Sequence, residues 1–168
     1  MAKTVTGNAP LEEAGPLYVV RRSDVHGQGA FAARHIRRGQ VIDEYTGDRI
    51  TYAEADERYK LRDVSDNHTF LYTLDEDTVI DANVGGNDSR FLNHKCDANC
   101  APRIREGRLF FVATRAIRVG EEIGFAYHIA REDDDPETVD EIYACRCGSA
   151  KCRGTMLWPP KRPKGRRR

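Results

Sequence analysis

The sequence predicts a mostly-β fold of the α+β kind, built from several small sheets with little helix. Three observations carry that expectation. Short runs rich in β-branched and aromatic residues recur along the chain, at Leu17–Val20, Val41–Tyr45, Phe70–Leu74, Thr78–Asp81, Leu109–Ala113 and Glu122–Tyr127. Glycine or a polar turn cluster separates most of them. Only Tyr52–Leu61 has both helical length and a helix start signal, and a chain of 168 residues suits one domain with a small satellite.

Taken in order, residues 1–16 contain Gly7, Pro10, Gly15 and Pro16 and read as a lead-in. After the first strand comes Gly27-Gln28-Gly29. With Ala32 this has the outline of a dinucleotide-binding fingerprint, but Gly39 arrives too soon for the helix which that reading requires. A hairpin turn is favoured, with glycines that tolerate positive φ or a close approach of backbone to a ligand. Thr46-Gly47-Asp48 ends the next strand, and Thr51 with Glu54 forms a capping box that starts the helix. Asp75-Glu76-Asp77 turns one strand into its partner. The glycine-rich Asn83–Asn87 then leads into Arg90–Cys100, where a cation, amides, an imidazole and two thiols crowd together. Asn and Asp compete with a helix for backbone hydrogen bonds, so this stretch reads as a short apolar anchor opening into a polar turn.

Hydrophobic residues make up 39% and charged residues 32%, which implies a modest core under a charged surface. The formal net charge of zero conceals an acidic block at Glu132–Glu141 and a basic one at Lys161–Arg168. No apolar run is long enough to span a membrane, and the start lacks the apolar centre of a signal peptide. An intracellular protein is therefore expected. In that setting five cysteines, clustered toward the end, favour a metal over disulfides. Cys145, Cys147 and Cys152 form a C-x-C-x4-C pattern flanked by Gly148 and Gly154. Structural zinc takes four ligands, so the fourth lies elsewhere: Cys96 and Cys100 are thiol candidates, His94 and His128 imidazole ones.

Several of these stretches together resemble a SET-domain protein lysine methyltransferase. Gly27-Gln28-Gly29 is similar to that family's Gly-x-Gly, and Tyr45–Ile50 to its Tyr-x-Gly-x-x-Ile. Arg90–Cys100 resembles Arg-Phe-x-Asn-His-x-Cys-x-Pro-Asn. Gly120–Ile123 with Phe125–Tyr127 resembles Gly-Glu-Glu-Leu followed by Asp-Tyr. Cys145–Gly154 with Leu157-Trp158 is similar to the post-SET zinc module. Ala98 replaces the usual Pro and Ala126 the usual Asp. No cysteine-rich pre-SET region precedes the match, which argues against a histone-lysine-9 enzyme of the usual eukaryotic kind and leaves a microbial origin open.

The resemblance implies a β-clip fold with a knot-like C-terminal crossing. Its parts are a lead-in (1–16), SET domain (17–131), acidic connector (132–144), post-SET zinc module (145–160) and basic tail (161–168). It implies methyl transfer from S-adenosylmethionine to a lysine, with Tyr127 as the central catalytic residue and Tyr45 as a second wall. Asn93 and His94 would hold the cofactor, Gly27, Gln28 and Gly29 would give backbone contacts, Arg90 would brace the site and Trp158 would close it. Cys96 becomes the fourth ligand of one structural zinc ion beside Cys145, Cys147 and Cys152, leaving Cys100 over. Phe125, where the family carries Phe or Tyr, leaves room for di- or trimethylation. The expected partner is a lysine-containing basic protein, a histone or a histone-like one, drawn by the acidic block, with nucleic acid a further partner for the basic tail. Location would be cytoplasmic in a bacterium, and nuclear or chromatin-associated in a eukaryote or for a secreted effector. Two rivals are a SET fold kept only for binding, and a zinc-dependent DNA-associated structural protein.

Overall fold

The computed structural model describes residues 15–61, 69–131 and 135–158. Most of the lead-in, the first residues of the acidic block and the whole basic tail lie outside them. β1 (Tyr18–Arg22) and β2 (Gln28–Ala32) form an antiparallel hairpin in which Tyr18 faces Ala32 and Arg22 faces Gln28. Gly27 supplies a φ of 44° at its turn, and the Ser23 N–H closes onto the Gly27 carbonyl at 3.0 Å. The hairpin reading of the glycine pair therefore holds. β3 (Val41–Tyr45) is followed at once by β4 (Asp48–Thr51), where a turn alone was expected. Gly47 permits this, because a Cβ there would lie 2.5 Å from the Asp81 carbonyl oxygen.

α1 (Tyr52–Tyr59) begins with the anticipated capping box: Thr51 Oγ1 accepts from the Glu54 N–H at 3.2 Å, and Glu54 Oε2 accepts from the Thr51 N–H at 2.8 Å. It ends two residues earlier than expected. Its one buried residue is Ala55, so apolar packing holds it weakly. Instead Arg58 and Tyr59 donate to the fully buried Asp81 carboxylate at 2.7 and 2.8 Å. Burial pushes the Asp81 carboxyl up, but those bonds and the Asn83 N–H outweigh it and leave the group below its ordinary value.

β5 (Leu71–Thr73) and β6 (Thr78–Asp81) complete a sheet in the order β4-β6-β5. A 3-10 turn (Asp88–Phe91) leads into β7 (Asn93–His94). β8 (Cys100–Arg105) and β9 (Arg108–Ala113) join β3 in the order β3-β9-β8. β8 was not foreseen, because Pro102 and three exposed residues hide its pattern; Pro is tolerated since this strand is at the sheet edge. β10 (Glu122–Phe125) sits between β2 and β7, antiparallel to the first and parallel to the second. It stops two residues short of the expected end at Tyr127. β11 (Ile129–Ala130) pairs in parallel with β12 (Leu157–Trp158), and the short α2 (Val139–Ile142) lies between them in sequence.

The core runs between these small sheets, around Phe111, Ile36, Ile80, Leu92, Leu109, Ile117 and Ile123, all essentially inaccessible. One polar residue within it organises the site. Asn99 is fully buried; its Oδ1 accepts from the Gly124 N–H at 2.9 Å and its Nδ2 donates to the Glu122 carbonyl at 2.9 Å. That side chain fastens the end of the Arg90–Cys100 stretch to β10, supplying the hydrogen bonds a strand would otherwise provide. Among the described residues no helix is long and apolar enough to cross a membrane.

Candidate active site

A cavity of about 860 Å³ opens where β5, β7, β10 and the segment around α2 meet. Its size falls within the usual range for a small-molecule site. Tyr45, Asn93, His94, Phe125 and Tyr127 all line it, as do Gln28 and Arg90. The structure thus gathers into one concavity residues that are far apart in sequence.

Aromatic rings form one wall. Phe125 packs on Phe111 and Tyr127 at centroid distances of 4.6 and 4.8 Å, and Tyr72 reaches Tyr45 at 5.8 Å and Phe125 at 6.2 Å. Tyr72 was read only as a strand residue. Tyr72 lies two residues after Phe70, which precedes β5, and that spacing in an extended chain was the available sign that both share the cavity. The two candidate catalytic hydroxyls are each tied to a carbonyl: Tyr45 donates to Phe70 at 2.7 Å and Tyr127 to Leu92 at 3.1 Å. Burial pushes both phenols well above their ordinary range, so both remain protonated donors.

Asn93 is buried, and its Nδ2 lies 2.9 Å from the Gln28 carbonyl and 3.0 Å from Glu122 Oε1. Those acceptors set the amide's orientation, leaving Oδ1 as its acceptor for a ligand. Ser23 donates to the same Glu122 oxygen at 2.7 Å. A Cβ on Gly29 would lie 2.3 Å from that oxygen, so any side chain there would displace the Glu122 carboxylate from Asn93 and Ser23. Glu122 was missed as a site residue because a glutamate that opens a strand, next to Glu121, reads as surface. Gln28 lines the cavity, whereas Gly27 and Gly29 shape the backbone behind it.

His94 is buried. Its Nδ1 accepts from the Tyr127 N–H at 3.1 Å and its Nε2 lies 3.3 Å from Cys96 Sγ. Burial, aided by the charges of Arg153 and His128, lowers its pKa to about 4, so the ring is neutral near pH 7. Arg90 lies over the Phe91 and Phe70 rings at 4.8 and 5.6 Å and donates to the Ala82 carbonyl at 3.2 Å, the arrangement of a brace. Trp158 is 47% exposed and is not among the cavity-lining residues; it stacks beside His128 at 4.9 Å and under the Arg153 guanidinium at 5.2 Å.

The sulfur atoms of Cys96, Cys145, Cys147 and Cys152 lie within 4.8 Å of one another, and those of Cys96 and Cys145 are 3.6 Å apart. Tetrahedral zinc with bonds of about 2.3 Å would separate its sulfurs by about 3.8 Å, so the set has the size and the chemistry for that ion. Burial opposes ionisation of Cys147, but backbone hydrogen bonds from Cys96 and Ser149 and contacts with Cys145 and Cys152 prevail and bring its pKa to about 7. Cys100 stands apart in the core, its thiol pushed up to about 12 by burial. The cluster can therefore bind a metal, and Cys145, next to the cavity, couples it to the site. The rest of the connector contributes as well: Glu141 on α2 lines the cavity, and Arg131 is paired with Asp140.

Residues 27–128 match the family model described as the SET domain. The chain is 38% identical over 141 residues to histone-lysine N-methyltransferase set1 of Dictyostelium discoideum, covering 80% of this chain and 9% of that protein. It is 36% identical over 138 residues to histone-lysine N-methyltransferase 2B of Homo sapiens (80% and 5%). It is also 36% identical over 142 residues to the H3 lysine-4 specific histone-lysine N-methyltransferase of Saccharomyces cerevisiae (80% and 13%). The chain thus spans only a small part of the length of these relatives. Among solved structures, the crystal structure of the Chaetomium thermophilum polycomb repressive complex 2 matches with a TM-score of 0.62 and 36% identity, over 74% of this chain and 16% of that one. Fold, site and relatives agree, and the chain belongs to the SET-domain family.

Proposed function

We propose that this chain transfers methyl groups from S-adenosylmethionine to a lysine side chain of a basic protein, with the histone H3 tail as the first substrate to test. The observation that carries this reading is the Tyr127 hydroxyl, held by the Leu92 carbonyl with its ring against Phe125, in a cavity that Tyr45, Tyr72 and Asn93 also line. When bound, S-adenosylmethionine supplies an electrophilic methyl group on a sulfonium. Asn93 and His94 would hold the cofactor, with Asn93 Oδ1 as an acceptor for its amino group and Gln28 lining the same cavity. The walls formed by Phe125 and Tyr72 disfavour the charged lysine, whose free pKa is about 10.4, so the amine loses its proton to solvent before attack. Tyr127 and Tyr45 then align the neutral amine, and alignment with fixed dipoles supplies most of the catalysis. The Cys96, Cys145, Cys147 and Cys152 clip, which would hold one zinc ion, brings Cys145 to the cavity from the C-terminal side, with Trp158 packed outside it against His128 and Arg153.

Phe125 supports a di- or trimethyl product, since it offers no hydroxyl to retain a water beside the amine. The names of the relatives favour a chromatin substrate and a nuclear location, and the solved polycomb complex favours work within a larger assembly. The test is incubation with methyl-labelled S-adenosylmethionine and a panel of basic proteins that includes histones. Label on lysine in the wild type, reduced roughly 100-fold with Tyr127→Phe, is expected. Cofactor binding without transfer to any member of the panel would favour a SET fold kept for recognition alone.

A further inference from the structure

The His94 ring nitrogens are both occupied inside the protein, and their two partners belong to different parts of the site. Nδ1 accepts the Tyr127 N–H at 3.1 Å. An acceptor at Nδ1 in a neutral ring puts the proton on Nε2, and Nε2 lies 3.3 Å from Cys96 Sγ. The Arg153 N–H approaches the same sulfur at 3.4 Å, so Cys96 Sγ is met by nitrogens from two parts of the chain. That sulfur belongs to the four-cysteine cluster.

The other end of the bridge falls where the backbone has run out of strand. The β7–β10 ladder ends at Phe125 opposite His94, with the Lys95 N–H on the Phe125 carbonyl at 2.9 Å. Tyr127 lies beyond it, and His128 turns the chain away with a φ of 51°. The Tyr127 N–H is therefore held by the imidazole and not by a neighbouring strand. Its ring also meets that imidazole edge-on at 5.3 Å.

We infer that His94 is a positioning residue which ties the Cys96 sulfur of the metal clip to the backbone of Tyr127, so that filling the clip sets the place of the catalytic phenol. The role assigned to Tyr127 rests on the methyltransferase reading; the bridge itself does not. The test uses protein labelled with 15N-tyrosine and loaded first with zinc and then with cadmium, the Tyr127 amide being identified by its disappearance in Tyr127→Phe. In the wild type the Tyr127 amide resonance is expected to move between the two metals. His94→Asn places an amide oxygen near Nδ1 but no N–H on the sulfur, so the metal-dependent shift should vanish and zinc affinity should drop roughly 10- to 100-fold. His94→Gln offers an N–H to the sulfur and withdraws the acceptor, so zinc affinity should be kept while the Tyr127 amide moves upfield and kcat falls with KM for the peptide unchanged. A wild-type Tyr127 amide indifferent to the metal overturns the inference, as does a metal-dependent shift that persists in His94→Asn. If the amide behaves as expected but the wild type methylates nothing, the bridge stands and the methyltransferase reading fails.

Discussion

Tyr127, Phe125 and the cysteines are where single substitutions speak most directly. Tyr127→Phe removes one hydroxyl donor from a packed aromatic wall and leaves the fold alone; kcat should fall by roughly 100-fold in a methyl-transfer assay, with an unchanged circular dichroism spectrum. Phe125→Tyr adds a hydroxyl beside it, and product mass spectra should shift toward the monomethyl form. Cys96→Ser should weaken both zinc and cofactor binding by calorimetry, whereas Cys100→Ser should spare both, since Cys100 lies in the core away from the other sulfurs. The paired cysteines and the Asn93-His94 couple were legible in the sequence because their spacing is unusual. The duties of single atoms were not. Nothing in a linear pattern shows that Asn93 Nδ2 and His94 Nδ1 are engaged within the protein, because their partners, Glu122 and Tyr127, come from much later in the chain.

Elements with local punctuation were foreseen and those set by neighbours were not. The capping box at Thr51 announced α1, and β-branched runs announced β3 and β6. β8 carries Pro102 and a polar end, and takes its strand form from pairing with β9. β4 depends on Gly47 letting its backbone pass close to β6. Gly47→Ala puts a methyl against the Asp81 carbonyl, and urea unfolding should show a loss of about 1–3 kcal/mol or more. β7 and β10 are parallel partners from separate parts of the chain, a pairing that local propensity does not encode.

At the scale of the whole molecule, small sheets are held together by buried polar ties as well as by apolar burial, and this gives the fold an acid limit. Burial pushes Glu121 up, but bonds from Arg115, the Arg118 N–H and Asn99 bring its pKa from 4.5 to about 2; Asp81 is likewise depressed. A carboxyl whose folded value is lowered contributes stability above its unfolded value and loses it as pH falls through the folded one. Chemical denaturation should therefore show stability declining from about pH 4.5 toward about 2, and Glu121→Gln should flatten that decline. The same architecture makes the central claim about function testable in one measurement. The chain loaded with zinc is incubated with histone H3 and S-adenosylmethionine bearing a heavy methyl group, and the product is read by tandem mass spectrometry. The account predicts heavy di- or trimethyl-lysine with the wild type and its loss with Tyr127→Phe. Equal labelling by both proteins, or labelling at residues other than lysine, would contradict it.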